Sequence, residues 1–537
     1  MTEPNWAVAP AWRVLALLLL VWPAFAMAWP WARSDKPTGG PMKTMPVAAA
    51  ARPDPLKGPR LAPAHIDEAG AAVARALLAA LQGGPSAGDL HGLALVSVRA
   101  ALGGSVQHWR LGNGLEIILA PDAGANIIAY HTWVKVGSAH EEEGRTGLAH
   151  LLEHLMFKAS KNFRAGAFDR ELERLGASPN AATWLDWTMY HETVPAEGLE
   201  RVVALESDRL TGLKLSEAAF RSELQVVRAE RREVVDTDPE GRLEEAFAEA
   251  VFGAGVGYGH ATVGRAPDLE ALTLQDVLAF YRRHYAPAAT VLVLAGAVDP
   301  SRDLPRLCRA YGPLQGDSAE RAAVAAVRAR PAAAPLTGDR KLEVRLDAGA
   351  DRLFVGWQAL PGDHVDQPLL VLWSECVGNA AAARLERALV DDARLAVDVD
   401  VAVPALARGG VLELRIGLRP GVRAEVALQR LDRELEALRG KQPLTDAELD
   451  AARNRLRASR LQGLVTADGR AEALGHDAAA FGEPTVGEAW WRRLESATRA
   501  DVERVAQGVL AGPRVVLVGR ARAGRGRGQG AEPRPAQ

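Results

Sequence analysis

The segment that most restricts the structure of this chain is His150-Leu-Leu-Glu153-His154. Apolar residues flank and interleave these three polar side chains, which predicts a helix shielded from water. Residues four positions apart lie on one face of a helix, one turn from each other. His150 and His154 are therefore expected to present their imidazoles side by side, next to the Glu153 carboxylate. Buried polar groups of this kind need partners, so the pattern indicates a functional site.

Two imidazoles at this spacing beside a carboxylate predict a hydrolytic zinc centre. His150 and His154 can bind one Zn²⁺ ion. Glu153 can accept a proton from the metal-activated water and pass it to the leaving amine of a peptide bond. The alternative is a pair of surface histidines on an ordinary amphipathic helix. The chain has only 12 histidines among 537 residues, so this spacing rarely arises by chance.

A catalytic zinc ion usually has a third protein ligand, and a downstream segment offers one. The stretch that begins at Ser216 opens with an N-cap residue and contains no Gly or Pro before Pro239, which predicts one long helix. Glu223 and Glu230 lie seven positions apart and hence on the same face. One of them can bind the metal while the other orients a ligand. From this segment alone, a solvated helix with Glu/Arg pairs is the alternative interpretation.

Four further segments carry a resemblance to a known family. They are Leu111-Gly-Asn-Gly-Leu115, the approach from Gly137 to His150, the segment from Asn180 to Tyr190, and the helix and strand from Tyr281 to Gly296. With the H-x-x-E-H motif of inverted zincins, the stretch from about Val106 to Arg520 resembles the pitrilysin/insulinase family of zinc peptidases. It is most similar to the short-chain branch, which includes the mitochondrial processing peptidase beta subunit and bacterial zinc-bearing relatives.

The resemblance implies a role for each polar residue of the predicted site. Zn²⁺ is the implied cofactor. The implied zinc ligands are His150, His154 and Glu230, the implied general base is Glu153, and the implied supporting carboxylate is Glu223.

The resemblance also implies how substrate binds. In this family an extended peptide adds as a strand to a sheet edge, which selects unfolded peptides over folded proteins. The edge implied here runs from Asn180 to Tyr190, and the candidate substrate-binding residues are Asn180, Ala181 and Thr183.

The second half of the chain is predicted to repeat the first without its metal site. Leu215–Glu230 aligns without gaps on Leu444–Ser459 and keeps the apolar spacing, but Ala452 replaces the first glutamate and Ser459 replaces the second. The alternative is a chance similarity between two amphipathic helices. The order of strand and helix patterns around both segments favours duplication. The predicted fold is therefore α+β, with two homologous α/β sandwich domains, each a mixed sheet covered by helices, that form one half of a clamshell.

Two positions depart from the family pattern. The resemblance implies an Arg and, seven positions later, a Tyr in the second half, which bind the substrate backbone and the tetrahedral intermediate. Val390 and Val397 stand there, and valine cannot donate a hydrogen bond to a developing oxyanion. Arg384 and Arg394 are candidate substitutes. Because the zinc site and the Arg/Tyr pair can lie on different subunits in this branch, the chain is predicted to be the zinc-bearing half of a heterodimer with a paralogous subunit.

The start of the chain has the pattern of a secretory signal. Arg13 precedes an apolar run from Val14 to Trp22, and small residues follow at Ala26 and Ala28. This predicts export to the periplasm with no stable membrane span after cleavage, and an uncleaved anchor is the alternative. The predicted organisation is a signal peptide (1–28), a Pro/Ala-rich tether with a short helical extension (29–104), the zinc-bearing domain (105–312), a linker (313–340), the inactive second domain (341–520) and a disordered tail (521–537).

Composition narrows the function classes. The chain is 48% hydrophobic and 24% charged, as expected for a globular protein with two full cores. A formal net charge of −3 argues against binding to nucleic acid. Cys308 and Cys376 lie in different halves, and the sequence leaves open whether they pair.

The predicted function is that of a zinc-dependent endopeptidase subunit acting on extended peptides. The alternative is a non-catalytic assembly or scaffold protein of the same family. Retention of His150, Glu153, His154 and Glu230 favours activity, because an unused ligand set has no structural reason to persist.

Overall fold

The computed structural model describes residues 59–84, 87–177, 179–254, 257–315 and 333–521. The predicted signal peptide, residues 29–58 of the predicted tether, the middle of the predicted linker and all of the predicted tail except Ala521 lie outside these ranges. Within them, no helix is both long enough and apolar enough to cross a membrane.

A seven-stranded mixed sheet forms the first half, with the order β1-β2-β3-β7-β4-β6-β5. Strands β3 and β7 are parallel, and the other neighbouring pairs are antiparallel. The strands are β1 Ala94–Ala101, β2 Gly104–Arg110, β3 Glu116–Pro121, β4 Ile127–Val134, β5 Asn180–Thr183, β6 Thr188–Pro195 and β7 Thr290–Gly296.

A five-stranded sheet forms the second half, with the order β10-β11-β9-β12-β8. The strands are β8 Arg340–Leu346, β9 Arg352–Ala359, β10 Ala396–Ala402, β11 Gly410–Leu418 and β12 Arg514–Ala521. Read from β8, this order is β8-β12-β9-β11-β10, which repeats β3-β7-β4-β6-β5 strand for strand. In both sheets the parallel pair consists of neighbouring strands that come first and last along the chain: β3 and β7 in the first sheet, and β8 and β12 in the second. The shared topology confirms the predicted duplication.

Helices cover the sheets. Those of the first half are α1 Glu68–Gln82, α2 Leu148–Leu155, α3 Ala167–Arg174, α4 Leu199–Gly212, α5 Glu217–Arg231, α6 Pro239–Phe252, α7 Ala266–Ala271, α8 Leu274–His284 and α9 Pro300–Tyr311. Those of the second half are α10 Gln367–Val377, α11 Arg384–Glu386, α12 Ala424–Arg439, α13 Asp446–Gly463, α14 Ala467–His476, α15 Val486–Glu495 and α16 Arg499–Leu510.

The two aligned helices of the repeat, α5 and α13, begin in the same way. The Ser216 hydroxyl accepts a hydrogen bond from the Ala219 amide at 3.1 Å, and Thr445 forms a reciprocal capping box with Glu448. Both caps satisfy amides that a helix start leaves without an internal partner. The predicted long helix after Ser216 is also confirmed, since α5 continues as a wider π turn over Arg232–Asp236.

The first sheet is buried on both faces. Side chains alternate along β4, so that Tyr130 points into the core shared with α2 and α5, while Trp133 points toward α14 of the second half. A strand covered on both sides lacks the polar alternation of a half-exposed strand. Helix α14 therefore packs into the core on this face of the first half.

One detail differs from the sequence predictions, and a question that the sequence left open is answered. The first sheet begins at Ala94, inside the segment 29–104 that was predicted to be a tether and extension, because β1 pairs with β2 in a hairpin that extends the sheet beyond β3. The predicted short helix of that segment is present as α1. Cys308 and Cys376 are both buried and unpaired, which is consistent with their positions in separate cores.

Candidate metal centre

Helix α2 begins at a backbone position that requires glycine. Gly147 has φ +91°, in the left-handed region that residues with a Cβ rarely adopt. The Glu141 carboxylate accepts hydrogen bonds from the Gly147 and Ala149 amides, both at 2.8 Å. A buried carboxyl group at this position satisfies free amides of the helix start. The capping holds the first turn of α2, and hence His150, in place.

The histidines of α2 face Glu230 of α5. The Nε2 atoms of His150 and His154 lie 3.6 Å from Oε1 and Oε2 of Glu230, respectively. The two imidazole rings are 4.8 Å apart, centre to centre. The three predicted ligands therefore converge, although α2 and α5 are separated by about 60 residues of chain. Two imidazole nitrogens and a carboxylate are the donor set of many catalytic zinc sites.

The residues present fit a zinc ion. Burial, together with the neighbouring His154, lowers the pKa of His150 to about 3. The ring is thus neutral at physiological pH, which is the form that binds metal. Its Nδ1 atom is buried without a hydrogen-bond partner. A neutral buried imidazole whose other nitrogen faces a carboxylate is suited to coordination.

Glu153 lies beside both histidines but points to the sheet. Its Oε2 atom accepts a hydrogen bond from the Thr183 hydroxyl at 2.6 Å. Burial raises the pKa of Glu153, which makes its carboxylate a stronger proton acceptor. The hydrogen bond from Thr183 of β5 holds Oε2 of Glu153 and thereby sets the orientation of the whole carboxylate.

Glu223, the predicted supporting carboxylate, contacts His154 from the side opposite Glu230. Its Oε2 atom is 3.6 Å from Nδ1 of His154, and its Oε1 atom is 2.7 Å from the Lys158 ammonium. The contacts with His154 and Lys158 lower the pKa of Glu223. An ionised Glu223 can orient His154 through the ring nitrogen that does not face Glu230.

The predicted sheet edge divides into two strands. Strand β5 is the edge and pairs only with β6 among the described strands. The predicted edge from Asn180 to Tyr190 is thus wrong in extent, because the chain turns back between Thr183 and Thr188 and the rest of it becomes an inner strand. The edge keeps the candidates Asn180, Ala181 and Thr183.

The side chains of these candidates contact other groups of the same chain. The Asn180 side chain accepts from the Ala181 amide at 2.9 Å, Ala181 is buried, and Thr183 holds Glu153. A peptide at this edge would therefore meet backbone groups more than these side chains.

Comparisons with known proteins give the family of this chain. Residues 117–259 match the family description Insulinase (Peptidase family M16), and residues 271–456 match Peptidase M16 inactive domain. The zinc protease PqqE of Helicobacter pylori is 30% identical over 342 residues, which cover 63% of this chain and 76% of that relative. The chain belongs to peptidase family M16. The second family match lies mostly in the half that lacks the metal ligands.

Two other M16 relatives extend the comparison. A probable mitochondrial-processing peptidase beta subunit of Arabidopsis thaliana is 26% identical over 210 residues, 38% of this chain and 39% of that protein. The crystal structure of a protease from Helicobacter pylori superposes with a TM-score of 0.70 at 26% identity, covering 77% of this chain and 98% of that chain. The two-domain M16 architecture is thereby confirmed.

The positions that depart from the family pattern lie in the second half. Val390 is in a π turn after α11, and Val397 is in β10. Of the two candidate substitutes, Arg384 is already engaged, since its guanidinium donates to both oxygens of Glu448 at 2.6 and 2.7 Å. Arg394 is exposed. Arg384 is therefore a poor replacement for the missing donor.

Sequence reasoning missed several residues that build the site. Glu141 and Gly147 lie next to the motif, and their role follows only from the cap that they form. Asp186 joins the turn after β5 to a loop of the second half: its buried carboxylate accepts hydrogen bonds from the Tyr258 hydroxyl and the Ala407 amide and forms an ion pair with Arg408 at 3.6 Å. No local sequence pattern signals this contact, because its members lie far apart in the chain.

Proposed function

We propose that this chain is a zinc-dependent endopeptidase subunit that hydrolyses extended peptides. The observation that carries the proposal is the convergence of the two Nε2 atoms of His150 and His154 on the two carboxylate oxygens of Glu230, at 3.6 Å each. Zinc held by these residues would acidify a water molecule and polarise a peptide carbonyl.

The remaining steps belong to residues of this chain. Glu153 takes the proton of the attacking water and delivers it to the leaving amine. Thr183 holds Oε2 of Glu153, so the geometry of proton transfer is set by β5. Since the same strand is the sheet edge, a peptide that pairs with β5 lies next to the base.

We further propose that a paralogous subunit completes the site. Val390 and Val397 offer no hydrogen-bond donor, and loss of one oxyanion donor typically costs about 10²-fold or more in kcat. Arg384 is held by Glu448. A partner that carries Arg and Tyr at the corresponding positions would supply both donors to the cleft.

A mixing assay tests the activity and the partner together. The purified chain alone should bind zinc and cleave an unstructured peptide slowly. Addition of a paralogous subunit with the Arg/Tyr pair should raise kcat/KM by about 10²-fold or more, and chelation should remove the activity. Equal rates with and without the partner would show that the second half contains its own donors, with Arg394 as the first residue to replace.

Metal analysis separates the peptidase from the scaffold alternative. A zinc ion bound by wild type at this site, with the zinc content falling by about one ion per chain on replacement of His150 by Ala or Glu230 by Gln, supports the peptidase. Absence of zinc from this site in the purified protein would support a non-catalytic assembly role.

We also propose that the protein is exported to the periplasm. The support is the Arg13 and apolar Val14–Trp22 pattern. Fractionation of cells that express the full chain should place it in the periplasm, with cleavage near Ala26 or Ala28 read from the mature N-terminus. Recovery in the membrane fraction with an intact N-terminus would indicate the uncleaved anchor instead.

A further inference from the structure

A second group of metal-ligand side chains lies at the contact between the two halves. His131 of β4 and His191 of β6 are directly opposite each other in the antiparallel pair. Both point to the face of the first sheet that α14 covers, whereas α2 packs into the core on the other face. Asp468, in the first turn of α14, reaches between the two imidazoles.

The three side chains converge on a small volume. Nε2 of His131 is 2.9 Å and Nδ1 of His191 is 3.2 Å from Oδ1 of Asp468. The ligand atoms of all three residues lie within 4.8 Å of one another. The ligands of a tetrahedral ion with bonds of about 2.1 Å are about 3.4 Å apart. A small movement of these side chains therefore suffices to hold an ion between them.

Burial and charge favour a cation at this place. His131 has no exposed surface. Glu472 lies four residues after Asp468 and hence on the same face of α14, so a second carboxylate accompanies Asp468.

Histidines are the only positive partners of this group in the described part of the chain. Asp468 forms ion pairs with His131 and His191. Arg470, between the two acidic residues, pairs with Asp122 instead. Two carboxylates beside two imidazoles, away from Lys and Arg, match the charge of a divalent ion.

We propose that His131, His191 and Asp468 form a second divalent-metal site, which joins α14 to the first sheet. Two imidazoles and one carboxylate suit first-row transition ions such as Zn²⁺ more than Mg²⁺ or Ca²⁺, which take oxygen ligands. Glu472 is the candidate fourth ligand. Because the ligands come from both halves of the chain, the ion braces one domain against the other. The site is separate from His150 and His154 and does not depend on the proposed peptidase activity.

Zinc titration of the full chain tests the site. Metal-depleted wild type should bind two Zn²⁺ ions per chain in competition with a chromophoric chelator. A variant with His150→Ala and His154→Ala should retain one. Adding Asp468→Asn to that variant should weaken the remaining binding by more than about tenfold. Circular dichroism of each variant establishes that it is folded.

Asp122→Asn in the same double-histidine background is the matched control. It removes another carboxylate contact between the first half and α14 but leaves the three proposed ligands intact, so zinc binding should not change. Zinc should also raise the Tm of the double-histidine variant, since a ligand of the folded state stabilises it, and Asp468→Asn should abolish that increase. The proposal is wrong if the double-histidine variant binds no zinc, or if Asp122→Asn weakens binding as much as Asp468→Asn does.

Discussion

Burial gives each polar residue of α2 a distinct task. His150 is neutral because burial lowers the pKa of its imidazole to about 3, so it is suited to coordination. Glu153, one position before His154, has a pKa raised by burial and one oxygen held by Thr183. The same helix thus presents candidate ligands and a candidate base from neighbouring positions, and isosteric replacement can separate their proposed roles.

Replacement of Glu153 by Gln should abolish hydrolysis and leave the metal in place. Gln keeps the shape and can still accept from Thr183, but it cannot take a proton, so kcat/KM should fall by at least about 10²-fold. Peptide cleavage and zinc content of the assembled enzyme check the two effects. Glu143→Gln, at an exposed position before α2, is the control and should change neither. Near-normal turnover of the Glu153 variant would mean that another residue is the base.

Glu116 of β3 should make the first half sensitive to acid. Its carboxylate pairs with His108 at 3.0 Å and with Lys135 at 2.7 Å. Although burial opposes ionisation, these contacts lower the pKa of Glu116 to about 2 from 4.5. A folded-state pKa below the unfolded value gives stability that is present above about pH 4.5 and is lost as the pH falls toward about 2.

Urea unfolding checks this stability. Between about pH 6 and about pH 3, wild type should lose about 2 kcal/mol of its free energy of unfolding through this one group. The Glu116→Gln variant should be less stable than wild type at about pH 6. Its free energy of unfolding should fall by about 2 kcal/mol less than that of wild type between about pH 6 and about pH 3. An identical pH dependence in both proteins would exclude Glu116 as the source.

At the scale of single elements, the start of α2 and the edge strand β5 define the candidate active site. The cap formed by Glu141 and Gly147 sets where α2 begins, and β5 supplies both the sheet edge and the hydroxyl that holds Glu153. Because α2 is a helix of only eight residues, its position depends on this cap more than on internal hydrogen bonds.

Replacement of Gly147 by Ala should disturb α2. The residue has φ +91°, and a Cβ there would lie 2.7 Å from Leu269 and 2.8 Å from the Val263 carbonyl oxygen. The left-handed conformation costs about 1–2 kcal/mol for alanine, and the clash adds to it. Both the free energy of unfolding and the zinc affinity should fall.

Gly144→Ala is the matched control. Gly144 also has positive φ, at +77°, but no atom lies within 4 Å of its added Cβ. The Gly144→Ala variant should lose about 1–2 kcal/mol of its free energy of unfolding and keep its zinc affinity. If both variants keep zinc equally well, the position of α2 does not depend on this cap.

At the scale of the whole molecule, polar contacts join the two halves beside the candidate active site. Asp186, in the turn between β5 and β6, accepts from the Tyr258 hydroxyl at 2.7 Å and from the Ala407 amide at 2.9 Å. The Arg408 guanidinium lies 3.6 Å from the same carboxylate and donates to the Ala139 carbonyl at 3.1 Å. The second half therefore supports the hairpin that carries β5.

Replacement of Asp186 by Asn should loosen this contact. It leaves the buried Arg408 without its opposite charge, which typically costs about 3–5 kcal/mol. Asp122→Asn breaks a pair between the halves whose carboxylate is 41% exposed and should cost less than about 1 kcal/mol. Urea unfolding measures both, and peptide cleavage should decline only in the Asp186 variant. Equal losses in the two variants would contradict the importance of the buried contact.

The sequence by itself determined the metal motif, the long helix with its two glutamates, and the duplication. Each of these is a local pattern: the helical spacing of His150 and His154, the cap at Ser216, and the apolar spacing shared by α5 and α13. Local hydrogen bonding and burial of one helix face are enough to specify such elements, so they can be recognised without the fold.

Only the tertiary structure decided which distant residues meet. The turn after Thr183, the contact of Asp186 with Tyr258 and Arg408, and the group of His131, His191 and Asp468 all depend on strand register and on the packing of α14 against the first sheet. These contacts join positions separated by about 70 to over 300 residues. Register and domain packing arise from the summed burial of many side chains, and no short segment carries that information.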